Sequence, residues 1–373
     1  MKITSSLMII LAMTIGGTHA SFAKDTIDIV AFNAENLFDT VDDIDNPRDD
    51  TYLPLSVKAT MQPSHDQKCD QYNGSGSFYA KQCKTLDWSL ATYNQKLKRY
   101  GDVLKAMPAT PDIIVISETE NKQVLLDLTQ QELSGANYNI VQLDSSDEPD
   151  SRGIDVGILS KFPVIGDPVA HTIDFGNDER TCGKTRDIVQ ASFELPDGEP
   201  LYVFGVHFPS GRSPFICRIK AFQSLNKIVK TLPSNSLAVA AGDFNINCIE
   251  APSDAFTRLL VRNGWYASPL ISSGCRAPGS SKFIERSIDN WNTWSFLDMI
   301  IVSSELSPTR PSAKNWFADL GSFSTLVVQG EQIMVDENDK GYIEPRRFDP
   351  VSGRGVSDHF PVGISLLNRR NGN

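Results

Sequence analysis

The sequence has no CxxC pair, no long apolar run, no internal repeat and no excess of basic residues, and each absence removes a class of protein. Without a CxxC pair, its cysteines do not form the closely spaced ligand set of a structural zinc site. No segment supplies the roughly 20 apolar residues that a membrane-spanning helix requires. The formal charge of -11 is the reverse of a basic nucleic-acid footprint. Tight, sequence-independent binding along a phosphate backbone is therefore not expected. A hydrolase remains open, because it must release its product and can hold one phosphate with a few local cations and a metal.

The first residues read as an export signal. Lys2 gives a positive start, an apolar stretch runs from Leu7 to Ile15, and small residues follow at Ser21 and Ala23. Cleavage is expected after Ala23, with Ala20 as the rival, so that 1–23 is a signal peptide and 24–373 one domain, since no linker divides it. Six cysteines follow the signal, namely Cys69, Cys83, Cys182, Cys217, Cys248 and Cys275. In the oxidising compartment of a secreted or periplasmic protein, an even count implies disulfide bonds.

Apolar segments at Ile27 to Phe32, Ile113 to Ile116, Val156 to Leu159, Leu201 to Val206, Leu237 to Ala241, Met299 to Val302 and Pro361 to Leu366 read as buried strands. Leu90, Tyr93, Leu97, Tyr100, Leu104 and Met107 recur every three or four residues, as do Ile219, Phe222, Leu225, Val229 and Leu232, so each set lines one face of a helix. Strands and helices are mixed, which suggests layered sheets with helices outside. Residues 41–88 read as a long polar excursion, and 306–356 as a second irregular region. The acidic run Asp39, Asp42, Asp43, Asp45, Asp49 and Asp50 lacks the spacing and glycine of an EF-hand loop and reads as a solvated loop. His65 and His171 read as loop residues.

The informative pattern is where polar, metal-competent residues fall. Asn33, Glu118, His207, Asp243 and Asn245 come where apolar strands end, whereas Asp298, Asp358 and His359 come where strands begin. For all of them to share one site, the last two strands must enter the rim that the earlier ones leave, so the sheets must be mixed or antiparallel. Carboxylates and amide oxygens, without a cysteine or histidine cluster, suit a hard ion such as Mg²⁺, with Mn²⁺ or Ca²⁺ as alternatives. Histidine beside aspartate makes an oriented general base, and arginine can clamp phosphate oxygens. Together they describe attack of water on phosphorus with a metal offsetting the developing charge.

The segments FNAENLFD, ISETEN, GVHFPSGR, GDFN, FLDMIIVS and SDHFPV, in this order, resemble the successive motifs of the endonuclease/exonuclease/phosphatase superfamily, the DNase I-like proteins. The resemblance runs from about residue 29 to about 366. It implies a four-layer α/β sandwich, with two mixed β-sheets packed face to face and helices outside. It further implies that Glu118 binds the metal, Asn33 positions the metal or the phosphate, and Asp358 lies at or beside the metal. Asp243 would orient or protonate, Asn245 would hydrogen-bond phosphate, and His359, oriented by Asp298, would activate water. His207 resembles a general acid for the leaving oxygen, and Arg186 a phosphate-binding arginine. The tyrosine-bearing segment of the repair-enzyme branch has no counterpart in SRGIDVGILS, which offers Arg152 and Asp155 instead. Cys248, just after GDFN, resembles a bridged cysteine of pancreatic deoxyribonuclease. The pairing this implies is Cys248 with Cys275, leaving Cys69 with Cys83 and Cys182 with Cys217.

The expected function is a secreted, monomeric, Mg²⁺-dependent nuclease acting on DNA or RNA. A second expectation keeps the chemistry but takes a membrane phospholipid, as sphingomyelinases do, or a phosphate monoester; Trp291 and Trp294 are the candidates for touching a lipid surface. A third is an inactive binding module, which predicts a missing catalytic group.

Overall fold

The computed structural model describes residues 24–44, 46, 48–143, 153–272, 275, 279–282, 294–309, 312–328, 330–336 and 342–369. The expected signal peptide, Arg152 and Trp291 lie outside the described residues.

Period-two alternation along the central strands builds the layers. In the strand Thr26–Leu37, Ile27, Ile29 and Ala31 face one core, while Val30 and Phe32 face another. Its neighbour Ile113–Thr119 repeats the pattern, Ile113 and Val115 against Ile114 and Ile116. The first core lies between two six-stranded sheets, since it also takes Val203, Val239 and Ile301 from the second sheet. The second core joins the first sheet to the helix Leu90–Lys105 through Tyr93, Leu97, Tyr100 and Leu104. Gly205 marks how closely the sheets approach, because a Cβ there would stand 2.7 Å from Val156 Cγ1.

The first sheet runs Trp316–Thr325, Val362–Asn368, Thr26–Leu37, Ile113–Thr119, Asp155–Ser160, Asn139–Gln142. The second runs Val169–His171, Ile188–Glu194, Pro200–His207, Leu237–Asp243, Asp298–Ser303, Trp265–Ala267. Each contains one parallel pair among antiparallel ones, so both are mixed. With the helices they form a DNase I-like α/β sandwich. Among the described residues no helix is long and apolar enough to cross a membrane.

All three disulfides pair as the resemblance implied: Cys69–Cys83, Cys182–Cys217 and Cys248–Cys275. The excursion is more ordered than its composition suggested. It folds into a short turn of 3-10 helix, Asp49–Tyr52, and three helices, Leu55–Thr60, Ser64–Asn73 and Phe78–Thr85. The buried Lys58 ammonium ties them together by donating to the carbonyls of Thr51, Cys83 and Leu86 at 2.7–2.8 Å. His65 is a fully buried residue of that helical cluster, not a loop residue. The second irregular region likewise supplies an edge strand of the first sheet, Trp316–Thr325.

Candidate active site

Sheet register gathers residues that lie far apart in the chain. On the first sheet Asn33 stands opposite Ser117 on a parallel neighbour, which brings Glu118 beside it. On the second, His207 stands opposite Asp243, and Asp243 opposite Asp298. The strand Asp298–Ser303 runs antiparallel to Leu237–Asp243, and Val362–Asn368 antiparallel to Thr26–Leu37. The later strands therefore begin on the rim where the earlier ones end, as a shared site demands.

The side chains complete this convergence. Asn33 Nδ2 donates to Asp243 Oδ2 at 3.2 Å and to Glu118 Oε1 at 3.4 Å, while Asn33 Oδ1 accepts from Glu35 N. His207 Nε2 lies 3.7 Å from both Glu118 Oε1 and Asp243 Oδ2. Asn245 N donates to Asp243 Oδ1 at 2.8 Å, and Asn245 Nδ2 to Phe208 O. His359 Nδ1 contacts Asp298 Oδ2 at 2.5 Å, and its Nε2 lies 3.9 Å from Asp358 Oδ1. Arg186 precedes the strand Ile188–Glu194 by two residues, and the antiparallel pairing of that strand with Pro200–His207 carries it to the end where His207 sits. Arg152 lies outside the described residues.

Burial makes these charges interdependent. It pushes the Asp243 carboxyl up to about 7, helped by the negative charge of Asp298. Burial works against a charged His359, but Asp298 in contact and Asp358 and Asp243 nearby hold its imidazolium well above the usual histidine value. The backbone is also unusual here. Among the described residues six non-glycine residues have positive φ, and four of them, Glu35, Asn36, Glu118 and Asn245, belong to this rim. Such conformations cost about 1–3 kcal/mol each and collect at functional sites.

Residues 77–258 match the Endonuclease/Exonuclease/phosphatase family. Three solved structures are similar along nearly their whole length. One, an endonuclease/exonuclease/phosphatase from Bacteroides vulgatus, shares 15% identity over 92% of this chain and 100% of its own, with a TM-score of 0.53. A family protein from Bacteroides thetaiotaomicron shares 15% identity over 92% and 98%, with a TM-score of 0.52. The mannosyl-6-phosphatase of Bacteroides thetaiotaomicron shares 14% over 91% and 99%, with a TM-score of 0.51. No curated protein matches the sequence. Residues 77–258 thus carry the pattern of that family, and the chain shares the DNase I-like fold of these structures. The family match supports a hydrolase at the level of the family, whereas substrate is set by residues around the rim.

Three further residues of this rim left little or no signal in the sequence. Glu35 is a buried carboxyl pushed up to about 7 by burial and by Asp358. Arg347 bridges it to the rim, 3.0 Å from Glu35 Oε1 and 2.5 Å from Asp358 Oδ2. Lys96 reaches in from the helix Leu90–Lys105 and donates to Val356 O at 2.7 Å and Glu35 O at 3.3 Å. Only Glu35 left a signal, its position two residues after Asn33 in FNAEN. Arg218 acts at a distance. Buried on the helix Phe215–Val229 and paired with Glu250, it donates to Ser210 O and Ser213 O, which holds the turn that follows His207.

The donor set suits a hard divalent cation. Glu118, Glu35 and Asp358 offer carboxylate oxygens and no thiolate, the ligand chemistry of such an ion.

Two expectations arise directly. Gly242 has φ +129, and a Cβ there would meet Val206 O at 2.2 Å, so Gly242→Ala must distort the strand that presents Asp243. Chemical denaturation should show a loss of about 3 kcal/mol; an unchanged midpoint would contradict this packing. Glu120, buried beside Asp39, is pushed up to about 9 by burial and by that neighbour's charge. Between its unfolded value near 4.5 and that folded value, the native state binds more protons than the unfolded one, so this group makes stability fall as pH rises. Glu120→Gln should therefore gain thermal stability on wild type progressively from pH 5 to pH 9, measured in chelator. A constant difference across that range would refute it.

Proposed function

We propose that the protein is a divalent-cation-dependent phosphodiesterase, exported to an oxidising compartment, that hydrolyses a nucleic acid strand by attack of water on phosphorus. The observation that carries the reading is the His359–Asp298 pair at 2.5 Å, on the rim that also holds His207, Asp243 and Glu118. Asp298 fixes Nδ1, and with the charges of Asp358 and Asp243 offset by a cation the imidazolium would give up its proton, which leaves Nε2 to take that of the attacking water. His207, between Glu118 and Asp243, is placed to give a proton to the leaving oxygen. Asn245 and Arg186 supply hydrogen-bond donors for the phosphate oxygens, while Asn33 holds Glu118 and Asp243 in position beside them. A divalent cation held by Glu118, with Glu35 and Asp358 near it, would offset the negative charge that builds on those oxygens; Mg²⁺ is the first choice, with Mn²⁺ or Ca²⁺ as alternatives. The exposed Arg212 and Arg347 give the rim local positive charge in a chain whose net charge is -11. The three disulfides support the oxidising compartment.

The acidic balance favours a second reading, hydrolysis of a small phosphate monoester, and the fold likeness to a mannosyl-6-phosphatase agrees with it. The two separate cleanly. With Mg²⁺, the purified protein should cut at least one of plasmid, linear duplex, single-stranded DNA and RNA. Release of phosphate from a sugar phosphate with every nucleic acid left intact would replace the first reading by the second.

A further inference from the structure

The excursion carries a second cluster of carboxylates, apart from the rim. Asp42, Asp49 and Asp50 each present an oxygen within 4.8 Å of the others. Asp49 is 2% and Asp50 0% exposed. Buried carboxylates normally accept hydrogen bonds, because an unmet one forfeits its hydration with nothing in return. Here, among the described residues, Asp49 Oδ1 and both oxygens of Asp50 have no hydrogen-bond partner. The hydrogen bond found is one to Asp49 Oδ2, from Asp43 N at 2.8 Å. Among the described residues Asp50 pairs with the half-exposed Lys68 ammonium, 3.9 Å from Oδ2, a long pair for a fully buried acid that leaves Oδ1 unmet.

We infer that Asp42, Asp49 and Asp50 bind a calcium ion that fastens the start of the excursion. Three convergent carboxylates and no sulfur or nitrogen ligand define a hard-cation site. Calcium fits better than magnesium, which usually keeps several waters and binds through one or two carboxylates instead of an all-protein cage. The sequence alone suggested a solvated loop because the spacing is not that of an EF-hand; the ligands are instead brought together by the turn Asp49–Tyr52 folding back on Asp42.

Calcium at this position would act on the active site from a distance. The excursion ends in the helix that carries Tyr79, whose hydroxyl accepts from Arg212 Nη2 at 3.1 Å. Arg212 belongs to the turn after His207. The ion would thus stiffen one wall of the rim without touching the reacting groups.

The test uses the full chain carrying Glu118→Gln, so that cation binding at the rim does not mask the second site. After chelation and desalting, thermal unfolding is followed with and without excess CaCl₂, and binding is measured by calorimetry. The expected result is one calcium bound and a rise in Tm of at least about 3 °C. Adding Asp50→Asn or Asp49→Asn should abolish both. In chelator these variants should be no less stable than the parent, because they remove buried repulsion. Asp42→Asn, at a less buried position, should weaken binding by at least tenfold and guards against misfolding of the buried variants. A calcium response that survives Asp49→Asn and Asp50→Asn, no response in the parent, or an equal response to MgCl₂ would overturn the proposal.

Discussion

Replacing His359 by glutamine is expected to reduce turnover of a phosphodiester by about 10²–10⁴-fold, with KM changed little. Glutamine keeps a hydrogen-bond donor for Asp298, so the fold should persist, but it cannot take a proton. Asp298 is a positioning residue whose carboxylate is fully buried and reaches the substrate only through the imidazole. Asp298→Asn should therefore lower kcat by a smaller factor. The double variant should be no slower than His359→Gln alone, since groups acting as a unit give strongly non-additive losses. Steady-state kinetics on the four proteins, with circular dichroism as the folding control, reads this out. Independent, multiplying losses would mean that the pair does not act as one device.

Glu118→Gln is the second large effect. Glutamine still accepts the hydrogen bond that Asn36 N donates to Glu118 Oε2 at 3.1 Å, so the strained turn at φ +64 keeps its anchor. What disappears is a full negative charge on the rim. The cation concentration for half-maximal activity should rise by about 10–100-fold or more. A titration of activity against MgCl₂ checks it, and an unchanged midpoint would move the cation away from Glu118.

The sequence exposed most of the rim for a simple physical reason. Buried strands are apolar along their length, so a carboxylate, amide or imidazole at a strand end stands out, and Glu118, His207, Asp243, Asp298 and His359 all occupy such ends. Lys96 and Arg347 were hidden because they come from a helix and an irregular segment, where a basic residue is ordinary and only the tertiary fold shows what it faces. The helices of the excursion were missed because they have 6 to 10 residues, too few for a periodic stripe, and rest on a disulfide and on Lys58 more than on an apolar face. The edge strand Trp316–Thr325 was obscured by a register shift between Asp319 and Ser324, which breaks the alternation that marks a strand. Substrate choice is the least legible property, since the fold is shared and the discriminating contacts come from excursions and turns.

The most direct measurement is a chelation cycle on the wild-type protein, with the rate of phosphodiester hydrolysis followed through removal and return of a divalent cation. Hydrolysis should vanish with chelator and return with Mg²⁺ or Mn²⁺. Hydrolysis indifferent to chelator, or no phosphoester cleaved under any cation, would contradict the assignment of this rim as a cation-assisted phosphoesterase centre.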